Sequence, residues 1–163
     1  METGRSNDHW GAFGTHLGSK VDPVLVGIMI RHDSHGQVPK QGTEDSAGYD
    51  LFAAENMTIP PHKTVCVPLG FSTEIHPDYH CRIESRSGMA SRGHAVVTGV
   101  IDADYRGEWK VILHNLTDVP LNIAVGDKIA QAVFRPTVRI AFEKASDLSE
   151  SSRGTGGFGS TGR

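Results

Sequence analysis

Glu108-Trp-Lys-Val-Ile-Leu-His-Asn-Leu-Thr-Asp-Val-Pro-Leu-Asn-Ile-Ala-Val-Gly-Asp-Lys-Ile-Ala-Gln-Ala-Val-Phe134 holds three short apolar runs, 108–113, 121–123 and 128–134. The cluster Asn115-Leu-Thr-Asp118 separates the first two, and Gly126-Asp127 precedes the third. Runs this short, bounded by turn-forming residues and rich in Val and Ile, read as strands. The same rhythm extends outward to runs at 24–30, 51–54, 64–67, 69–73, 81–84, 95–97 and 138–142. Ile59-Pro-Pro-His62, His76-Pro-Asp78 and Asp104-Tyr-Arg-Gly107 supply the turns. No segment carries ten residues of helical period, and only 87–92 reads as a brief helical turn. The pattern predicts an all-β sandwich or barrel.

At 163 residues the chain is sized for one domain. Residues 1–22 are polar and glycine-punctuated and read as a flexible N-terminal arm, a natural place for an extra partner. Residues 23–145 form the β-domain, and 146–163 form a polar connector and a glycine-rich tail. The net charge of −3 offers no broad basic field, so stable nucleic-acid binding is not expected. No basic-then-apolar leader opens the chain and no apolar run nears ~20 residues. The expectation is an intracellular protein of the cytoplasm or nucleus, neither secreted nor in a membrane. Cys66 and Cys81, both in apolar strand-like runs, are expected to be buried free thiols, with a disulfide between them left open.

The tail, Arg153-Gly-Thr-Gly-Gly-Phe-Gly-Ser-Thr-Gly162, sets one aromatic ring among five glycines. Glycines this dense do not order by themselves. A ligand with a flat ring and phosphates would order them. Phe158 could stack on the ring, while the N–H groups of Gly157 and Gly159 with Ser160, Thr161 and Arg153 wrap phosphate oxygens. Glycines 154, 156 and 159 match G-x-G-x-x-G formally, but no strand precedes them and no helix can follow within this sequence, so the dinucleotide reading fails. His76 and His80, four apart, flank Pro77, which opposes the helix such a metal pair needs, and His32 and His35 lie in a loop.

Five blocks then stand in order: Ala47-Gly-Tyr-Asp-Leu-Phe-Ala-Ala54, Ser85-Arg-Ser-Gly-Met-Ala90, Gly99-Val-Ile-Asp-Ala-Asp-Tyr-Arg-Gly107, Gly126-Asp-Lys-Ile-Ala-Gln131 and the tail. Their set and order closely resemble the trimeric dUTPase family. The resemblance implies a jelly-roll-like β-barrel or sandwich assembling as a homotrimer with active sites shared between chains. It implies Mg²⁺-dependent hydrolysis of dUTP to dUMP and pyrophosphate, by water attack on the α-phosphorus, which keeps uracil out of DNA and supplies dUMP for dTTP synthesis. The Mg²⁺ would be carried by substrate phosphates and water, with no direct protein ligand.

By the same resemblance Asp102 is the catalytic carboxylate, orienting and deprotonating the attacking water. Asp104 is structural. Tyr105 lies under the deoxyribose and excludes a 2′-hydroxyl. The backbone of Gly99, Val100 and Ile101 belongs to the hairpin that reads uracil, with Gly99 allowing a close backbone approach. Arg86, Ser87 and Gly88 bind phosphate and stabilise the leaving pyrophosphate. Gln131 donates to substrate, and Asp50 supports by positioning Arg86 or a water of the metal shell. The second block departs from the family: Ser85 stands where proline is usual, and Glu84 precedes it. The expectation is a looser, more negative phosphate turn that keeps its activity. A dCTP deaminase would need an added carboxylate by the hairpin. A catalytically dead binding module would have lost Asp102, Tyr105 or the tail, and a lectin-like jelly roll leaves the tail unexplained.

Overall fold

A computed structural model describes residues 27–97 and 99–156. The expected arm at 1–22, the start of the first run at 24–26, and Gly157, Phe158, Gly159, Ser160 and Thr161 lie outside the described residues. In chain order the elements are β1 (Met29–His32), β2 (Lys40–Gln41), β3 (Tyr49–Phe52), β4 (Met57–Ile59), β5 (Thr64–Pro68), β6 (Phe71–Glu74), β7 (Tyr79–Glu84), α1 (Ser87–Ala90), β8 (His94–Val96), β9 (Val100–Ile101), β10 (Lys110–Asn115), β11 (Leu121–Ile123) and β12 (Lys128–Pro136). The predicted all-β class holds, and among the described residues the one helical turn falls where it was expected.

Every strand pairing is antiparallel. The largest sheet has the order β2-β3-β12-β7-β9, and β5-β10-β8 forms a second, with β1-β6 and β11-β4 as two-stranded pairs. Alternation along β10 buries Val111, Leu113 and Asn115. Val111 and Leu113 meet Leu51, Ile59, Val67, Cys81, Trp109 and Ile129 in one core. Full burial of each such aliphatic side chain contributes about 1.5–3 kcal/mol. The buried polar residue in this row is compensated. Asn115 Nδ2 donates to the carbonyls of Ile59 (3.1 Å) and Val119 (2.7 Å), and its Oδ1 accepts from the Thr117 hydroxyl (2.7 Å). Read as a turn former in the sequence, Asn115 is also a core residue.

Three expectations need correction. The run 138–142 forms no strand. β12 pairs with β7 up to Pro136 opposite Tyr79, the first residue of β7, and one further backbone bond, from the Thr137 N–H to the Asp78 carbonyl at 2.7 Å, ends the ladder at the turn that precedes β7. Val138, Ile140 and Phe142 stand exposed. Composition suggests one strand-like run over 95–101, but the stretch divides into two strands in different sheets: β8 pairs with β10, and β9 with β7. Cys66 is exposed on β5, and only Cys81 is buried; both are free thiols. Burial pushes the Cys81 thiol up to about 12. Native protein is therefore expected to lose Cys66 quickly to a disulfide reagent, with Cys81 reacting only on unfolding. Equal rates for the two thiols would place Cys81 outside the core.

Candidate active site

The second block begins where β7 ends. Arg86, in extended conformation, caps α1, and its carbonyl accepts the N–H groups of Met89 (3.0 Å) and Ala90 (2.9 Å). The buried Met89 anchors this turn to the core, leaving Ser87 and Gly88 exposed. A Cβ on Gly88 would meet only Arg92 Nη1, at 3.7 Å, so its backbone faces open space.

Register brings the other residues alongside. On β12, Gln131 stands opposite Asp50 of β3 on one side and Glu84 of β7 on the other. The Asp50 carboxylate, 13% exposed, takes Arg86 Nε on Oδ1 and Lys128 Nζ on Oδ2, each at 2.9 Å. Arg86 Nη1 also donates to the Lys128 carbonyl at 3.2 Å. Two of the five guanidinium N–H donors hold Arg86 in place and the others remain for an anion. One carboxylate faces two cations, so the cluster keeps a surplus positive charge. Asp50 thus holds the Arg86 guanidinium by an ion pair. Lys128 was not singled out in the sequence: its only signal was its place in the fourth block, three residues before Gln131.

Gln131 Nε2 donates to the Ser85 carbonyl at 3.1 Å, and a Cβ on Gly48 would fall 2.5 Å from Gln131 Oε1. The glycine of the first block therefore makes room for this amide. Ser85 and Glu84, the departures from the family pattern, are both engaged. Ser85 Oγ accepts the Val96 N–H at 2.8 Å. Glu84 Oε1 takes Arg135 Nη2 at 2.9 Å with Arg82 Nε at 3.8 Å. The negative charge that Glu84 brings to this turn is compensated by these two guanidiniums.

The third block forms a separate cluster. Gly99 O accepts the Ile83 N–H at 2.8 Å, and a Cβ on Gly99 would sit 2.8 Å from Ile83 Cβ. The backbone at Gly99 therefore lies close against β7. Val100 is exposed and Ile101 is buried. Asp102 is exposed, and its carbonyl accepts the Tyr105 N–H at 3.1 Å, closing the turn. Tyr105 Oη donates to the Glu108 carbonyl at 3.1 Å. A Cβ on Gly107 would lie 2.5 Å from Tyr105 Cζ, so glycine there lets the ring lie flat on the chain. The ring stays half-exposed, free to meet a ligand.

The two clusters do not meet within one chain. Ile101 stands opposite Cys81 and β9 runs on toward the Tyr79 end of β7, whereas Arg86 follows the Glu84 end. Asp50 lies three strands from β9 in the sheet. With ~4.8 Å between strands and ~3.3 Å per residue, Asp102 and the Asp50–Arg86 pair are about 20 Å apart. Arg153, the one predicted tail contact within the described residues, is exposed and donates from Nε to the Gly156 carbonyl at 3.0 Å.

The dUTPase family model matches residues 34–162. The chain belongs to the dUTPase family. The deoxyuridine 5'-triphosphate nucleotidohydrolase of Helicobacter pylori (strain P12) is 44% identical over 128 residues, covering 77% of this chain and 88% of that one. Among solved structures, a Staphylococcus bacteriophage 80alpha dUTPase with dUpNHpp superposes with a TM-score of 0.79. It is 24% identical and covers 84% of this chain and 99% of that chain. A dUTPase from phage phi11 of S. aureus, whose structure details the coordination of a structural Mg(II) ion, gives 0.71 at 22% identity, covering 76% and 99%. The dUTPase fold is thus shared with the phage enzymes, and family membership rests on the sequence matches.

Among the described residues of this dUTPase no group of three or more His, Cys, Asp or Glu could hold a metal ion, and no helix is long and apolar enough to cross a membrane.

Proposed function

We propose that this dUTPase hydrolyses dUTP to dUMP and pyrophosphate at sites built from neighbouring copies in a homotrimer. The observation that carries the reading is the clamp of Arg86 and Lys128 on Asp50 beside Gln131. It is a preset cationic cradle of the kind a triphosphate needs. The ~20 Å gap between that cradle and Asp102 supports a second copy as the donor of the third block.

In this reading Arg86 and the Ser87 and Gly88 N–H groups take phosphate oxygens. They stabilise the charge that develops on the leaving pyrophosphate. Lys128, held 2.9 Å from Asp50, adds a second cation at the same end. Gln131 exchanges its bond to Ser85 for one to the substrate. The neighbour's Asp102 orients water against the α-phosphorus and takes its proton. The Tyr105 ring, pinned by its bond to Glu108, lies under the deoxyribose and leaves no room for a 2′-hydroxyl. The hairpin backbone at Gly99, Val100 and Ile101 reads uracil. The tail from Arg153, with Gly157, Phe158, Gly159, Ser160 and Thr161, closes over the bound nucleotide as a lid.

A divalent ion, Mg²⁺, neutralises triphosphate charge when bound. With Asp50 already satisfied by two cations, the cluster suits an ion that arrives on the nucleotide's own oxygens and keeps its waters. The role places the protein inside the cell, where deoxynucleotide pools are.

Pyrophosphate release from dUTP, run beside dCTP, dTTP and UTP, tests the reading. Turnover is expected for dUTP alone. Equal hydrolysis of UTP would remove Tyr105 from its selective role, and absence of turnover from a chain that binds dUTP would leave a binding module.

A further inference from the structure

We propose that Ser85 is a positioning residue of the phosphate turn, its hydroxyl fixing the backbone just before Arg86 through a hydrogen bond to β8. Ser85 lies between the last residue of β7 and Arg86, the residue that caps α1. It is held on two sides. Its hydroxyl oxygen accepts the Val96 N–H at 2.8 Å in a half-buried setting, and its carbonyl accepts Gln131 Nε2 at 3.1 Å.

The hydroxyl bond joins two sheets. Val96 belongs to β8, which pairs with β10, whereas Ser85 leaves β7 of the five-stranded sheet. The N–H of Val97, next in the chain, bonds to the Ile112 carbonyl at 2.9 Å on the β10 side. Val96, pointing the opposite way along an extended chain, presents its N–H away from β10. Ser85 therefore ties the free edge of β8 to the start of the phosphate turn. A proline side chain has no acceptor to do this and restricts the turn through its ring instead. Arg86 follows Ser85 directly, and its far end is set by Asp50. The backbone end and the guanidinium end of the arginine are thus fixed by different elements.

The proposal rests on the reading of this turn as phosphate-binding. Its test uses the full-length chain and Ser85→Ala, Ser85→Thr and Ser85→Pro. The readouts are amide hydrogen exchange at Val96, affinity for inorganic tripolyphosphate, and kcat and KM for dUTP. In Ser85→Ala, Val96 exchange is expected to accelerate, and the tripolyphosphate Kd and the dUTP KM to rise about fivefold, the size of one hydrogen bond, with kcat little changed. Ser85→Thr keeps the acceptor and should match the parent in all readouts. Ser85→Pro should bind tripolyphosphate like the parent while Val96 exchanges fast, separating the constraint from the bond.

Unchanged Val96 exchange in Ser85→Ala, or unchanged affinity and KM, overturns the proposal. So does a loss of thermal stability with KM unmoved, which marks a structural role alone. Should the alanine chain not fold, the other two decide: a threonine chain that loses affinity while Val96 stays protected also overturns it. A parent chain that does not bind tripolyphosphate overturns the phosphate reading itself, a result distinct from any difference among the variants.

Discussion

Asp102→Asn is expected to slow dUTP hydrolysis by at least ~100-fold, with nucleotide affinity within about twofold of the parent, because loss of a positioned general base costs roughly 10²–10⁴ in rate. The amide keeps the shape of the carboxylate and can still hold a water, but it accepts no proton. Folding should be untouched. Asp102 is exposed, and its backbone carbonyl, which closes the turn by accepting the Tyr105 N–H, stays in place in the variant. Stopped-flow proton release with dUTP, beside equilibrium binding of a non-hydrolysable analogue, measures the two halves of the claim. A variant with near-parent kcat would take Asp102 out of the chemistry.

Arg86→Gln is expected to lower kcat/KM by about 10²–10³, the range for removing one preorganised donor to developing charge. The parent guanidinium is fixed by Asp50 at 2.9 Å and the Lys128 carbonyl at 3.2 Å, so it needs no reorganisation when substrate arrives. Glutamine is too short and too poor in donors to reach both anchors and still serve a phosphate. Asp50 keeps Lys128 as a partner, so the fold should survive. If kcat/KM falls less than tenfold, Lys128 and not Arg86 is the principal cation.

The two variants together test the sharing of sites. Asp102 and Arg86 are about 20 Å apart within a chain, so each functional site would draw them from different copies. In statistically mixed trimers of the two inactive chains, about a quarter of the sites would pair an intact Arg86 with an intact Asp102, and activity should return to that level. Mixtures as inactive as their components would place both residues in one chain's site.

Much of the molecule is legible in the chain because its information is local. Short β-branched runs between Pro, Gly, Asp and Asn turns locate β5, β7, β10, β11 and β12 within a residue or two. The one helical turn at Ser87–Ala90 and the order of the five blocks are equally local. The two-residue strand β2, Lys40-Gln41, carries no apolar residue to mark it.

What the sequence by itself determined is therefore the all-β class, the family and the residues of each block. The tertiary structure alone decided how those residues pair. Asp50, Arg86 and Lys128 come from three distant places, and only the register of β3, β12 and β7 sets them side by side. The Ser85–Val96 bond likewise depends on where two sheets meet. Run 138–142 has a strand's composition yet forms none, because β7 ends before it can be paired. Composition and periodicity report what one segment prefers, whereas a ladder or an ion pair needs a second segment at the right register.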